Sequence, residues 1–304
     1  MCASVILPTY NGEKKIGIAL EALCKQSFTN FETIVVLDGS TDDSISVVKR
    51  YKNRLSNLII VTQDNGGRSI ARNKGASIAK TSLLIFIDDD IEVMPDNIES
   101  HVRFHEKNPE AILVGSPVLG FNHIPTDAFQ SFRYRVELAF LEHAPVGTRK
   151  ITFNNYVFTT QNVSISEKLF TEIGRFDERL TDSEDFDLSI RLLLANKAIF
   201  IDPTLKCWHH DFADIQQTIK RQTQYYLSKK KLLEFHPEYK NLMPAQFAWM
   251  QKTKKDQLKK VIFGNRFLWE SLIGTSLFSI MPRQLQNAVF SSFIYVHSVM
   301  KIKR

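Results

Sequence analysis

The chain has 304 residues and a formal net charge of +6, with 43% hydrophobic and 24% charged residues. That is ample for one large core or two ordinary ones, and it excludes disordered, collagen-like and low-complexity classes. Three cysteines, Cys2, Cys24 and Cys207, are too few and too scattered for a disulfide framework or a Cys-based zinc site, which favours a reducing compartment.

The first residues, MCASVILPTYNG, lack a basic leader region, so no secretory signal is expected. No run reaches the roughly 18 apolar residues of a spanning helix. The expected location is cytoplasmic. Residues 3–7 form an apolar run of strand length. Residues 13–26 then carry Ile16, Leu20 and Leu23 at helical spacing. Strands are expected at 33–37, 58–61 and 83–87, and helices at 42–51 and 69–79. Near-continuous apolar strands alternating with helices predict an α/β fold, its sheet mostly parallel with helices on both faces. Ligands bind beyond the carboxyl ends of such strands. Those ends here read PTYNG, DGS, DNGGR and DDD, all polar and three of them acidic.

The middle, 115–160, is rich in Phe and Tyr and shows no clear repeat. Residues 181–196 predict a helix, with Thr181 and Glu184 fitting a capping box and Phe186, Ile190 and Leu193 forming an apolar stripe. After about residue 215, lysine runs interleave with aromatic residues.

Four segments could carry chemistry. In LLIFIDDDIEVMP (83–95) a buried strand ends in three acids, which repel unless a cation neutralises them; carboxylate oxygens suit Mg²⁺ or Mn²⁺. The plainer reading is a solvated acidic turn. In TDSEDFDLSIRL (181–192), Glu184 and Asp185 lie in the first helical turn, where the macrodipole favours ionised carboxylates and a general base could work. Acids are also common at helix starts for no catalytic reason. In DNGGRSIARNKG (64–75), paired glycines allow close backbone approach and Arg68, Arg72 and Lys74 supply positive charge, which suits phosphate or ribose contact. The segment is neither a Walker A loop nor a dinucleotide fingerprint. In CWHHD (207–211), adjacent histidines on a strand point to opposite faces, so one of them at most would meet a metal. Trp208 could stack on a sugar or fill the core.

In this order the segments resemble the inverting glycosyltransferases of family 2, which have the GT-A fold, a Rossmann-like nucleotide-diphospho-sugar transferase architecture. The resemblance covers about residues 2–212. VILPTYNGE resembles the family's opening strand and donor loop. TIVVLDGSTDDS resembles its V-D-D-G-S-x-D motif, with Leu37 in place of the first acid. ARNKG, FIDDDIEVMP and SEDFDLSIRL match its A-R-N-x-G, D-x-D and E-D-x-D-L motifs.

The resemblance implies a donor nucleotide site of Pro8, Thr9, Asn11, Glu13, Asp38, Arg72, Asn73, Asp88 and Asp89. It implies Mn²⁺ or Mg²⁺ on Asp88, Asp90 and His209, and Asp185 as catalytic base with Glu184 orienting the acceptor. Asn162, Trp208 and His210 would lie on the acceptor side. The implied activity is metal-dependent transfer from a nucleotide-diphosphate sugar, most often a UDP-sugar, to a hydroxyl of a glycan or lipid-linked saccharide. Two alternatives are a non-catalytic nucleotide-sugar-binding scaffold and a haloacid-dehalogenase-type phosphatase. The phosphatase pattern continues to Thr or Val two residues after the second Asp, where this chain has Glu92.

The expected organisation is a catalytic domain over 1–219, with a nucleotide-sugar half (1–115) and an acceptor and catalytic-base half (116–219). A basic amphipathic helical extension follows over 220–304. The extension has 16 Lys+Arg against 4 Asp+Glu, a net +12, so the preceding 219 residues carry −6. No nucleic-acid module is visible. Leu285, Val289, Phe293, Val296 and Met300 form a helical stripe, and Phe267, Trp269, Leu272 and Ile273 a second apolar group, with Pro282 between. With the basic end Lys301-Ile302-Lys303-Arg304, this pattern fits peripheral docking on an anionic membrane face or a partner protein; packing onto the chain itself is the plainer reading.

Overall fold

The computed structural model describes residues 2–119, 127–142, 147–211, 213–273, 275, 278 and 280–301. Residues 302–304 of the basic terminus lie outside them. The chain divides into two compact units, one of residues 1–121 and 143–211, the other of residues 122–142 and 212–304.

The first unit holds the sheet. Its strands are β1 (Ala3–Thr9), β2 (Phe31–Asp38), β3 (Leu58–Gln63), β4 (Leu83–Ile87), β5 (Ile91–Val93), β6 (Ile112–Leu119), β7 (Arg149–Lys150), β8 (Asn162–Ser166) and β9 (Ile199–His209). Their order is β3-β2-β1-β4-β8-β6-β9-β5, with β7 on β9. The first four are parallel, as the alternating strand and helix pattern predicts. Beyond them β8 runs antiparallel to both β4 and β6, while β6 and β9 are parallel. The register pairs Ile87 with Asn162 and Ile91 with His209, which brings late segments of the chain to the acidic end of β4.

Helices cover both faces because the strand residues alternate. Leu83, Ile85 and Ile87 pack with α1 (Ile16–Cys24), α2 (Ser44–Lys49) and α4 (Asn97–Lys107). Leu84 and Phe86 face the other way, onto α3 (Arg68–Ile78), α6 (Glu167–Glu172) and α7 (Glu184–Leu194). Phe86, Phe170 and Phe176 form a triad with centroids 5.2–5.3 Å apart. Fully burying such a side chain stabilises by about 1.5–3 kcal/mol. Gly75 lets α3 lie close on the sheet, since a Cβ there would come 2.5 Å from Ile6 Cγ2.

The expected capping box of Thr181 and Glu184 does not form. Helix α7 begins at Glu184 after Ser183, whose φ of 63° is left-handed and whose side chain makes no cap. Glu184 is drawn instead to an arginine of α3, described below.

The second unit is helical: α5 (Ala128–Glu142), α8 (Ile215–Phe235), α9 (Tyr239–Leu242), α10 (Pro244–Phe247), α11 (Lys254–Phe263), α12 (Arg266–Ile273) and α13 (Arg283–Ser298). Its core joins Phe129 and Phe132 of α5 to Phe278, Val289 and Phe290. This corrects one expectation. Val289, Phe293, Val296 and Met300 of the C-terminal stripe are buried, so it faces the unit's own interior, and only Leu285 is exposed. Among the described residues, no helix is long and apolar enough to cross a membrane.

Candidate functional site

The carboxyl ends of β1, β2 and β4, the first half of α3, the start of β8, the start of α7 and the end of β9 supply the residues singled out from the sequence. All lie in the first unit.

The three acids after β4 divide by exposure: Asp88 and Asp90 are half-buried, whereas Asp89 is 5% exposed. Asp89 turns inward. Its Oδ2 accepts from Thr9 Oγ1 at 2.6 Å, and its Oδ1 meets Lys15 Nζ at 2.8 Å. Burial pushes its carboxyl up to about 6. Asp89 and Thr9, expected at the nucleotide, therefore brace β4 against the loop after β1, and Lys15 is a partner the sequence did not announce.

That loop is fastened to the next one. Pro8 lies half-buried near the end of β1, and Asn11 follows with a left-handed φ of 48°. The Asn11 amide donates to Ser40 Oγ at 3.0 Å and its Oδ1 accepts from the Thr41 amide at 2.9 Å. The Glu13 amide donates to Asp42 Oδ2 at 2.9 Å. Beyond the ends of β2 and β3 opens a cavity lined by Leu37, Gly39, Ser40, Thr62 and Gln63 among others.

Asp38 is buried at the end of β2. Its carboxylate accepts from Gln63 Nε2 at 2.7 Å and from the Gly66 and Gly67 amides, both at 2.8 Å. Gly67 has φ 88°, a conformation open to glycine, and this turns both amides onto Asp38. The paired glycines, expected to meet phosphate or ribose, instead serve an internal acid.

The centre of the arrangement is Arg72, 1% exposed. One terminal nitrogen donates to Glu184 Oε1 at 2.5 Å and the other to Asp88 Oδ1 at 2.6 Å. Its guanidinium lies 5.6 Å from the Phe176 ring centroid. Arg72 was expected beside the nucleotide; it is instead the buried tie between α3, the end of β4 and the start of α7. Asn73 is likewise internal. Its Oδ1 accepts from the Phe176 amide at 3.1 Å, and its Nδ2 donates to Phe176 O at 2.9 Å and Glu178 Oε1 at 3.0 Å. The A-R-N-x-G segment thus holds the 176–184 stretch in place.

Asp185 is half-buried beside this tie, its Oδ1 accepting from the Phe186 amide at 2.7 Å. Burial raises the Asp185 carboxyl from its ordinary value, against the pull of Arg72 and Arg68. Burial also raises Glu184, again opposed by Arg72. Arg68 is half-exposed, 3.5 Å from Asp182. Glu184 Oε2, Ser183 Oγ and Arg72 Nε are buried without a hydrogen-bond partner among the described residues.

The two histidines separate as strand alternation requires. His209 Nε2 lies 3.7 Å from Asp90 Oδ1 and 3.3 Å from Gln161 Nε2. His210 Nε2 pairs with Glu92 Oε2 at 2.7 Å, and its amide donates to the Asp90 carbonyl at 2.9 Å. Half-buried Trp208 sits opposite Glu92 in the β5–β9 ladder. Asn162 is corrected: it is fully buried, hydrogen-bonded to Asn97 at 2.8 Å and to His101 at 2.9 Å, and offers nothing to an acceptor.

The buried network around Asn162 has a pH signature. Burial lowers His101 to about 3 and His105 to about 4, and both are bonded to Ser164 Oγ. Unfolding releases them to ordinary values near 6.5, so the unfolded state binds more protons below that pH. Stability is therefore fully present above about pH 6.5 and is lost as pH falls towards 4 and 3. The urea midpoint is expected to decline across that window, and His101→Gln/His105→Gln is expected to flatten the decline. An unchanged slope in that variant would remove the histidines as its cause.

A family model described as "Glycosyl transferase family 2" matches residues 4–170, more than half of the chain. The chain belongs to glycosyl transferase family 2. Related glycosyltransferases include an uncharacterized one of Haemophilus influenzae, 27% identical over 196 residues, covering 62% of this chain and 61% of that protein. A poly(ribitol-phosphate) beta-N-acetylglucosaminyltransferase of Staphylococcus aureus, TarS, is 32% identical over 139 residues, covering 44% of this chain and 24% of TarS. The matches thus span less than two thirds of either relative. The crystal structure of S. aureus TarS 1-349 in complex with UDP-GlcNAc superposes with a TM-score of 0.57 at 20% identity, covering 98% of this chain and 90% of that one. That likeness concerns the fold, and it agrees with the GT-A class expected from the motifs.

Within this family-2 chain, sequence reasoning passed over Lys15, Gln161 and Ser183. Lys15 and Gln161 act through partners far away in sequence, and Ser183 through a backbone conformation. A Ser before an E-D pair signals an ordinary cap, so nothing local marked the left-handed turn.

Proposed function

We propose that the protein is a metal-dependent inverting glycosyltransferase, moving a sugar from a nucleotide-diphosphate donor to a hydroxyl of a glycan or lipid-linked saccharide. The observation that carries this reading is the Arg72 bridge, which gathers Asp88, Glu184 and the neighbouring Asp185 at one sheet edge. A UDP-sugar is the first donor to try, because TarS was crystallised with UDP and with UDP-GlcNAc.

Asp185 would take the proton of the acceptor hydroxyl as its oxygen bonds to the anomeric carbon. The bond to the diphosphate breaks and its electron pair leaves with the nucleotide. One displacement inverts the anomeric centre, so no enzyme nucleophile is needed. Glu184 would orient the acceptor, with one carboxylate oxygen fixed by Arg72 and the other without a hydrogen-bond partner among the described residues.

Among the described residues, no three His, Cys, Asp or Glu side chains converge as a ready-made metal cage. A carboxylate and an imidazole 3.7 Å apart fit a cation whose coordination is completed by phosphate oxygens. Mn²⁺ or Mg²⁺ would be held by Asp90 and His209, with Asp88 adjacent, and would supply neutralisation of charge on the leaving diphosphate.

The test is a screen of UDP- and GDP-sugars for nucleotide release with Mn²⁺ and a mixed glycan acceptor extract, followed by the anomeric configuration of the product. Release with inversion supports the reading; retention, or no release with any donor, counts against it. EDTA is expected to stop transfer and added Mn²⁺ or Mg²⁺ to restore it. A full rate without divalent metal would remove the roles given to Asp88, Asp90 and His209.

A further inference from the structure

Helices α11 and α12 of the second unit present apolar side chains that their own core does not use. Val261 and Phe267 are each 82% exposed, and Leu258, Ile262 and Leu268 are exposed beside them. The pair is not frayed. Phe263, Trp269, Leu272 and Ile273 pack into the unit's core, Trp269 Nε1 donates to Ile262 O at 2.7 Å, and α11 opens with a capping box of Thr253 and Asp256. The two helices are therefore anchored on one side while large hydrophobic groups face outward on the other. Five large apolar side chains exposed within eleven residues are more than scattered surface hydrophobics, and such a concentration marks a contact surface.

Its rim identifies the partner. On α11, Lys254, Leu258 and Ile262 recur every four residues, so a lysine shares the face of the apolar groups. Lys255 and Lys260 are exposed alongside, and Asp256, tied up in the cap, is the acid among them. Lysine stems lie along apolar surface while their ammonium groups reach outward, which matches an interface of acyl chains beneath phosphate headgroups. A second copy would set lysine against lysine.

We infer that the α11–α12 face, centred on Val261, Phe267 and the flanking Lys254, Lys255 and Lys260, docks on the surface of an anionic phospholipid bilayer. Since no described helix can cross a membrane, the contact lies on the surface. Of the two apolar groups that the sequence offered for such docking, the 285–300 stripe is mostly core, and the face proposed here keeps Phe267 of the other and adds Val261 and the lysines of α11. The inference stands apart from the transfer chemistry.

The test is co-sedimentation of the full chain with phosphatidylcholine vesicles, with or without about a third phosphatidylglycerol. The protein is expected to pellet with the anionic vesicles at low salt and to release at high salt. Lys254→Gln/Lys255→Gln/Lys260→Gln is expected to weaken partitioning roughly fivefold per lysine, about a hundredfold in all. Val261→Glu/Phe267→Glu is expected to reduce it to background. All five side chains are at the surface, so unchanged circular dichroism and donor binding are the controls. Protein left in the supernatant, or binding by either variant equal to that of the wild type, overturns the proposal. So does a wild-type dimer that Val261→Glu/Phe267→Glu turns into monomers without any vesicle binding, because the face would then belong to a second copy.

Discussion

Asp185→Asn is expected to lower sugar transfer by about 10²–10⁴-fold, the range a positioned general base contributes, while donor binding measured by calorimetry stays near the wild-type value. The substitution keeps shape and keeps an oxygen for the Phe186 amide, which now donates to Asp185 Oδ1. What it removes is the capacity to accept a proton. Because burial raises the Asp185 carboxyl, the active, ionised form is the one favoured at higher pH. The wild-type rate should therefore rise as pH increases through that raised value, and this limb should vanish in Asp185→Asn. Near-normal transfer by the variant would end the assignment of Asp185 as base.

Arg72→Met is expected to cost about 3–5 kcal/mol of stability, the usual penalty for breaking a buried ion pair from one side. Arg72 and Glu184 side chains are both 2% exposed, and Asp88 is held by the same guanidinium. Without it, Glu184 must either remain charged in the interior or take up a proton. Arg72→Lys is a poor rescue, since one ammonium cannot reproduce a planar fork reaching two carboxylates. Arg72→Met/Glu184→Gln is expected to regain part of the stability, because the deeply buried Glu184 no longer carries a charge and only the half-buried Asp88 loses its partner, yet not the transfer rate, because α7 loses its tie to the end of β4. Urea unfolding and a transfer assay on the same variants separate the two effects. Stability and turnover both unchanged in Arg72→Met would show that the bridge organises neither.

The parallel half of the sheet was legible because its code is local. Apolar runs of strand length, helical spacing between them and polar strand ends identify β1 to β4 and their helices without knowledge of partners. The antiparallel β8 between β4 and β6 was not legible. Nothing in NVSIS says which edge it joins, and its place follows from the long-range register Ile87 to Asn162. The split between Asp88, Asp89 and Asp90 was not legible. The three acids lie in the turn beyond β4, and the burial of Asp89 depends on Thr9 and Lys15, more than seventy residues earlier.

The same contrast runs through the candidate site and the tail. The motifs named Asp38, Arg72, Asn73 and Asn162 as functional, and each of them is bound up inside the protein. A motif records residue types at fixed spacing, and a group that builds a site leaves the same record as one that touches substrate. In the tail, a helical apolar stripe on α13 and apolar groups on α11 and α12 look alike in one dimension, yet the first is mostly interior, while the second divides between a packed side with Trp269, Leu272 and Ile273 and an exposed side with Val261 and Phe267.

The sequence by itself determined the α/β architecture, the family, the acidic strand end and the segregation of positive charge into the last 85 residues, all carried by local patterning and composition. Only the tertiary structure decided that Arg72 joins Asp88 to Glu184, that the His209 ring lies by Asp90 while the His210 ring pairs with Glu92, and which apolar face meets solvent. The reason is physical: periodicity fixes which way a side chain points along its own element, but its partner is set by elements brought from elsewhere in the chain, and local patterning does not encode that pairing.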